Sequence, residues 1–158
     1  MDNFEFERVY LEYRDSVWRN VSRFVYSKHD REDLLQEIFL KVYKSFPKFR
    51  GDSDLGTWIY RISVNTSINF IKKSKRYKQL SEMLSKLRVF EDDNKEFFKD
   101  DAIFKPLEKL NPQQRIILVL SDIEEKKLDE IAEILNLPVG TVKSNLHRGR
   151  EIVKKELV

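Results

Sequence analysis

Apolar side chains in this chain recur at intervals of three and four residues, and hardly anywhere at intervals of two. Phe6, Val9, Tyr10, Tyr13, Val17, Val21 and Phe24 follow that spacing over residues 4–26. Such a period gathers them on one stripe of an α-helix, while a half-buried strand would alternate. Four Gly and four Pro in 158 residues leave few places to turn. Lys, Glu, Leu, Ile and Arg dominate what remains, a helix-forming bias. The chain is therefore expected to be built from long helices with little else.

Reading on, "SKHD" interrupts the first pattern, and Asp30 can cap a second helix with Glu32 and Asp33 in its first turn. In "REDLLQEIFLKVYKSF" one side carries Leu34 or Leu35, Ile38, Val42 and Phe46, and Pro47 ends the run. The loop "PKFRGDSD" follows, with Gly51 and two Asp as turn residues. A third helix starts near Asp54 and carries Trp58, Ile59, Ile62 and Ile71 as its apolar stripe. From Tyr77 to Asp101 the pattern loosens and turns acidic in "EDDNKEFFKDD", a composition shift that marks a boundary. "AIFKPLEKL" then reads as a short helix. Asn111 and Pro112 make a favoured helix start, and two more helices follow over 128–135 and 138–156. The expected fold is all-α: two small helical domains, 1–76 and 102–158, joined by a flexible linker over 77–101.

Composition removes several function classes. The absence of Cys excludes disulfides and thiolate metal sites. His29 and His147, the two histidines, lie far apart in sequence. No nucleophile–base pair, metal cluster or phosphate-cradling glycine loop is visible, so no catalytic residue, metal site or cofactor is expected. No apolar run approaches the roughly 18–20 residues of a membrane span, and the N-terminus is unlike a signal peptide. These features point to a cytoplasmic protein.

Net charge is +3, but its distribution carries more information. Between Leu55 and Ser81 there is no acid and there are six bases: Arg61, Lys72, Lys73, Lys75, Arg76 and Lys78. Between Asn136 and Lys155 five bases face one acid, Glu151. Two separated basic segments offer two places for a polyanion. On charge alone, two solvated helix faces account for them equally well.

The C-terminal segment "LDEIAEILNLPVGTVKSNLHRGR" is more specific. Ile131 and Leu135 point inward, and Ala132 is small enough for a second helix to cross closely. Asn136 suits the left-handed conformation that closes a helix. Leu137 fills the corner, and Pro138 suits the first turn of the next helix. Val142 and Leu146 face back, with Ile152 and Val153 further along. That is the layout of a helix-turn-helix. The outward face presents Thr141, Lys143, Ser144, His147 and Arg148, donors suited to base edges and phosphates.

This segment, with "LEKLNPQQRIILVLSDIEEKKLDEIA" before it, closely resembles region 4 of sigma-70-type initiation factors, in particular the extracytoplasmic-function (ECF) group. "DREDLLQEIFLKVYKSFPKFRGDSDLGTWIYRISVNTSINFIKKSKR" looks like region 2 of the same family. The resemblance implies an ECF sigma factor that binds core RNA polymerase, recognises −10 and −35 promoter elements and aids melting. Asp33, Leu34, Gln36 and Glu37, with Phe39, Leu40 and Lys41 beyond, match the helix that docks on the clamp helices of the polymerase largest subunit; a further contact with the flap is implied. Asp33, Gln36, Glu37 and Lys41 form a polar ridge able to pair with a basic coiled coil. Phe49, Arg50, Gly51, Asp52 and Ser53, followed by Trp58, Arg61, Asn65 and Asn69, match the part that reads the −10 element, with Tyr60 as a further aromatic candidate. The Asn65 amide can donate to and accept from an unstacked base. Lys72, Lys73, Lys75 and Arg76 would track phosphates. Thr141, Lys143, Ser144, Asn145, His147 and Arg148 match the −35 set. The acidic run Glu91-Asp92-Asp93 would mimic nucleic acid near the RNA exit path. An anti-sigma partner, often membrane-bound in the family, is implied as well.

The sequence departs from the family pattern in places. Asn145 stands where Arg is common, Gly149 where Ala is usual, and "EEKKLDE" lacks the glycine often found before the first helix of the motif. Gly149 reflects either a packing contact that needs bare backbone or a frayed helix end. Two other functions stay open at this point: a stand-alone helix-turn-helix regulator, and a sigma-like adaptor or inhibitor of polymerase.

Overall fold

The computed structural model describes residues 2–86 and 105–157. The run Glu91-Asp92-Asp93 lies outside the described residues. Among those described, the fold is all-α, with no strand. Six α-helices follow in order: α1 (Asn3–Phe24), α2 (Lys28–Ser45), α3 (Leu55–Lys86), α4 (Pro112–Leu118), α5 (Leu128–Leu135) and α6 (Val139–Leu157).

In the N-terminal lobe α1, α2 and α3 pack against one another. Asp2 caps α1, its carboxylate accepting from the Glu5 N–H at 2.7 Å. Ser27, not Asp30, caps α2, because the helix starts three residues earlier than its acidic turn indicates. Arg31 pins the intervening corner by donating to the Val25 carbonyl at 2.6 Å. A short 3-10 turn, Phe46–Lys48, carries Pro47 and ends the run. α2 touches α1 on one side and α3 on the other. Its buried stripe is accordingly wide, taking in Leu34, Ile38, Phe39 and Val42.

α3 is the longest element, about 48 Å at 1.5 Å per residue. Residues 77–86, read from sequence as linker, continue it. They contain no Gly or Pro to stop a helix. Its buried face is partly polar. Ser63 and Ser67 are fully buried and return their hydroxyls to the Ile59 and Ser63 carbonyls at 2.9 and 2.7 Å. This satisfies the hydroxyls within the helix and lets neighbours approach.

In the C-terminal lobe a 3-10 turn (Lys105–Lys109) precedes α4. Asn111 and Gln114 cap each other's backbone N–H groups, a full capping box, with Pro112 in the first turn. The chain then widens into a π turn, Val119–Ile123. α5 closes at Asn136, whose φ of 53° is left-handed as expected. α6 lies on α4, α5 and the 105–109 turn. Ile116, Ile117, Leu120, Ile131 and Val142 form the centre of this lobe.

The lobes also meet. α3 packs against both α4 and α5, so the two domains are in contact.

Candidate nucleic-acid interface

The helix-turn-helix presents its donor face as the spacing requires. Pro138 opens α6, its carbonyl accepting from the Thr141 and Val142 N–H groups at 3.0 and 3.1 Å. Val142 and Leu146 are buried against the lobe. Lys143, Ser144, His147 and Arg148 are exposed on the opposite side, with Thr141 half-buried at their edge. Lys143, His147 and Arg148 have no ion-pair partner among the described residues. Asn145 departs from the expected set. It is buried in line with Val142 and Gly149, and its amide donates to the Thr141 carbonyl at 2.9 Å. Three packed partners give α6 a wide inner stripe that takes in this position. Arg150 is committed elsewhere: two of its nitrogens meet the Asp122 carboxylate at 3.1 and 2.6 Å.

Gly149 faces α4. A Cβ there would stand 3.8 Å from Gln114 Cβ, the Gln114 carbonyl oxygen and Leu118 Cδ1, which is ordinary van der Waals contact. The position is buried and helical. Neither a need for bare backbone nor a frayed end explains the glycine. Glu125, within the "EEKKLDE" stretch before α5, holds a left-handed φ of 56°.

The second candidate surface runs from the 49–54 loop along α3. Asp54 caps α3, accepting from the Thr57 N–H at 2.8 Å and the Thr57 hydroxyl at 2.7 Å. Those bonds hold its carboxyl below the usual range. Phe49, Phe46 and Trp58 form an aromatic cluster, with the Phe49 and Trp58 ring centroids 5.0 Å apart. Trp58 is half-buried, serving the cluster and keeping one edge open. Arg50, Gly51 and Asp52 project into solvent, with Ser53 half-buried behind them. Gly51 turns the loop at a φ of 76°, which a side chain would strain. Further along α3, Asn65, Asn69, Lys72, Lys73, Lys75 and Arg76 are exposed. Together they form a polar, then basic, track on one helix.

On α2, Asp33, Gln36 and Leu40 are exposed, with Glu37 and Lys41 half-exposed and paired at 3.5 Å. Asp33 sits 3.4 Å from His29. Two expected docking residues belong to the core instead. Leu34 is fully buried, and Phe39 packs edge-on against Tyr10 at 4.8 Å. The outer face is completed by Tyr43, 41% exposed, which sequence reasoning missed. Its ring meets Phe6 of α1 at 5.3 Å.

Contacts between the lobes were also not legible in the sequence. Tyr60, expected near DNA, donates its hydroxyl to Glu124 instead. Arg23 of α1 reaches the same carboxylate at 2.9 Å. Burial and that carboxylate push the Tyr60 phenol well above its ordinary value. Arg61 pairs with Glu133 at 2.7 Å, and the Asn65 amide donates to the Ile134 carbonyl at 3.2 Å.

Residues 9–77 match the Sigma-70 region 2 family and residues 102–153 the Sigma-70 region 4 family. The ECF RNA polymerase sigma factor SigW of Bacillus subtilis is 34% identical, over 92% of this chain and 84% of its own. The ECF RNA polymerase sigma-E factor of Escherichia coli K12 is 32% identical, over 99% of this chain and 88% of its own. Two solved structures share the fold. One is the sigma factor RpoE with the anti-sigma factor NepR from Bartonella quintana, with a TM-score of 0.60, 18% identity and coverage of 97% and 96%. The other is CnrH with the cytosolic domain of CnrY, with a TM-score of 0.63, 20% identity and coverage of 99% and 89%. The chain belongs to the ECF group of RNA polymerase sigma factors.

Proposed function

We propose that this chain binds core RNA polymerase and directs it to promoters, the N-terminal lobe reading the −10 element and α6 the −35 element. The observation that carries this reading is the presence of regions 2 and 4 in one chain, aligned almost end to end with ECF sigma factors. The exposed Lys143, Ser144, His147 and Arg148 face supports the −35 role. The exposed Asn65 and the basic track to Arg76 support the −10 role. The outer face of α2, with Asp33, Gln36, Glu37, Leu40 and Lys41, is assigned to the clamp helices.

In this reading the chain contributes no chemistry of its own. Polymerase supplies nucleotidyl transfer, and the sigma lobes supply position. Each lobe offers a small contact area and binds DNA weakly by itself. Holding both on polymerase raises the effective concentration of the second contact and makes box spacing part of the specificity. Neutralised phosphates add affinity that falls with salt. The reading also includes a cytoplasmic location and an anti-sigma partner covering the polymerase-binding faces. No helix among the described residues is long and apolar enough to cross a membrane.

Footprinting with and without core polymerase tests the reading. The expected result is a specific footprint only when core is present, weakened by Arg148→Ala at the upstream box and by Asn65→Ala at the downstream box. A tight specific footprint by the chain alone would instead support a stand-alone regulator.

A further inference from the structure

We propose that the projecting end of α3 is a third reading surface, in which Gln79 recognises an adenine in the duplex between the two promoter boxes. This deepens the function proposed above and rests on it, because it gives the spacer DNA to the helix that carries the −10 surface.

Ile71 is the last buried residue of α3, and from Lys72 to Leu80 every residue is exposed. The helix nevertheless runs on to Lys86. Residues 72–80 alone carry it about 13 Å past its last core contact, at 1.5 Å per residue. An ordinary solvated helix is polar on one side and packed on the other. This stretch is open all round, the form in which a helix enters a major groove. It holds five bases, Lys72, Lys73, Lys75, Arg76 and Lys78, and no acid, so it suits a polyanion. Tyr77 and Leu80 are exposed in the same stretch. At about 100° per residue, Lys73 falls between them around the helix. A helix lying on a membrane separates its apolar side chains from its bases, and this one interleaves them.

Within this stretch one line of side chains continues the −10 surface. Asn69, Lys72, Arg76 and Gln79 recur at intervals of three and four, in line with Asn65, and all are exposed. That spacing puts them on one face. As linker, residues 77–86 would hold Gln79 in no fixed direction; as helix they hold it on the face of Asn65. Arg76 and Gln79 have no partner among the described residues. The bases meet phosphates, which carry no sequence information, so the amide is the group able to read. Its oxygen accepts from adenine N6 while its nitrogen donates to N7, a pair that only adenine offers in the major groove. Gln79 stands fourteen residues beyond Asn65, about 21 Å along the helix. That reach covers at most about six base pairs at 3.4 Å each. The lobe assigned to the upstream box follows α3 in the chain, so the end of α3 faces the spacer.

The test is run-off transcription by core polymerase with the full chain, on templates whose two boxes are held at the sequences the chain selects and whose spacer is randomised. One spacer position, within about six base pairs of the base that depends on Asn65, should favour adenine about tenfold. Gln79→Ala should flatten that preference to within about twofold and leave the preferences at both boxes unchanged. Alanine is the strongest helix former, so the helix is kept. Gln79→Arg should move the preference at the same position from adenine to guanine. Arg76→Gln, by contrast, should weaken starts on every spacer sequence alike. Core affinity, measured separately, should be the same for the unsubstituted chain and both Gln79 variants. A spacer profile that is identical in the unsubstituted chain and both Gln79 variants overturns the inference and leaves the promoter reading standing. So does a uniform loss of starts together with weaker core binding, which would make Gln79 a polymerase contact. A chain that initiates from no template overturns the promoter reading, and this inference with it.

Discussion

Gly149→Ala should stabilise the C-terminal lobe. Glycine inside a helix costs about 1 kcal/mol against alanine. Gly149 lies in the interior of α6 and faces Gln114 and Leu118, with 3.8 Å between the added methyl and its three nearest atoms. That distance is contact without compression, so the methyl also buries apolar surface worth up to about 0.8 kcal/mol. The total is between about 1 and 1.8 kcal/mol, or roughly 3–6 °C in Tm for a chain of this size. Urea denaturation and thermal melting followed by circular dichroism measure it. Hydrogen exchange across α6 locates the gain. Lys143, Ser144, His147 and Arg148 point away from the change, so DNA recognition by polymerase carrying the variant should stay within about twofold. A loss of more than about 0.5 kcal/mol would mean that α4 and α6 approach more closely than described, and would refute the reasoning. No change at all would mean that the end of α6 is not held as a helix.

Glu125→Gly should add about 0.5–1 kcal/mol, since it removes a side chain from a left-handed backbone at φ 56°; Glu125→Val should do the opposite in the same denaturation assay. Leu34→Ala should cost about 2–5 kcal/mol because Leu34 is fully buried. Leu40→Ala, at an exposed position, should leave stability within about 0.5 kcal/mol while weakening binding to core polymerase measured by interferometry. Full polymerase affinity in that variant would remove α2 from the docking surface. Tyr60 has its folded pKa raised from 10.0, so its contribution is complete below pH 10 and is lost as pH rises through the folded value. A titration at 295 nm should find a tyrosine step well above the ordinary range, and Tyr60→Phe should remove that late step.

What the sequence made legible was local. The Asn111–Gln114 cap, Pro112 in the first turn and the left-handed Asn136 are decided within a few residues, and each appears as the pattern requires. The exposed face of α6 follows from its period for the same reason. What it concealed depends on how many neighbours a helix has. α2 and α6 each pack against more than one partner, so their buried stripes widen to include Phe39 and Asn145, which a narrow stripe would leave outside. The end of α3 was misplaced because a shift in charge resembles a boundary, although no residue from Tyr77 to Lys86 breaks a helix. The contacts of Tyr60, Arg61 and Asn65 with Glu124, Glu133 and Ile134 join residues more than sixty positions apart. No local pattern announces such pairs, and they put a polar seam across residues that read from sequence as free for DNA.

The central claim is that this chain turns core polymerase into a promoter-specific enzyme through two reading surfaces. Run-off transcription by core polymerase and this chain, on a library varied in both boxes and their spacing, tests it most directly. The account predicts discrete starts from a small set of sequences, lost when either box or the spacing is changed. Arg148→Ala should alter selection at the upstream box alone, and Asn65→Ala at the downstream box alone. Core binding without any specific start across the whole library would contradict it.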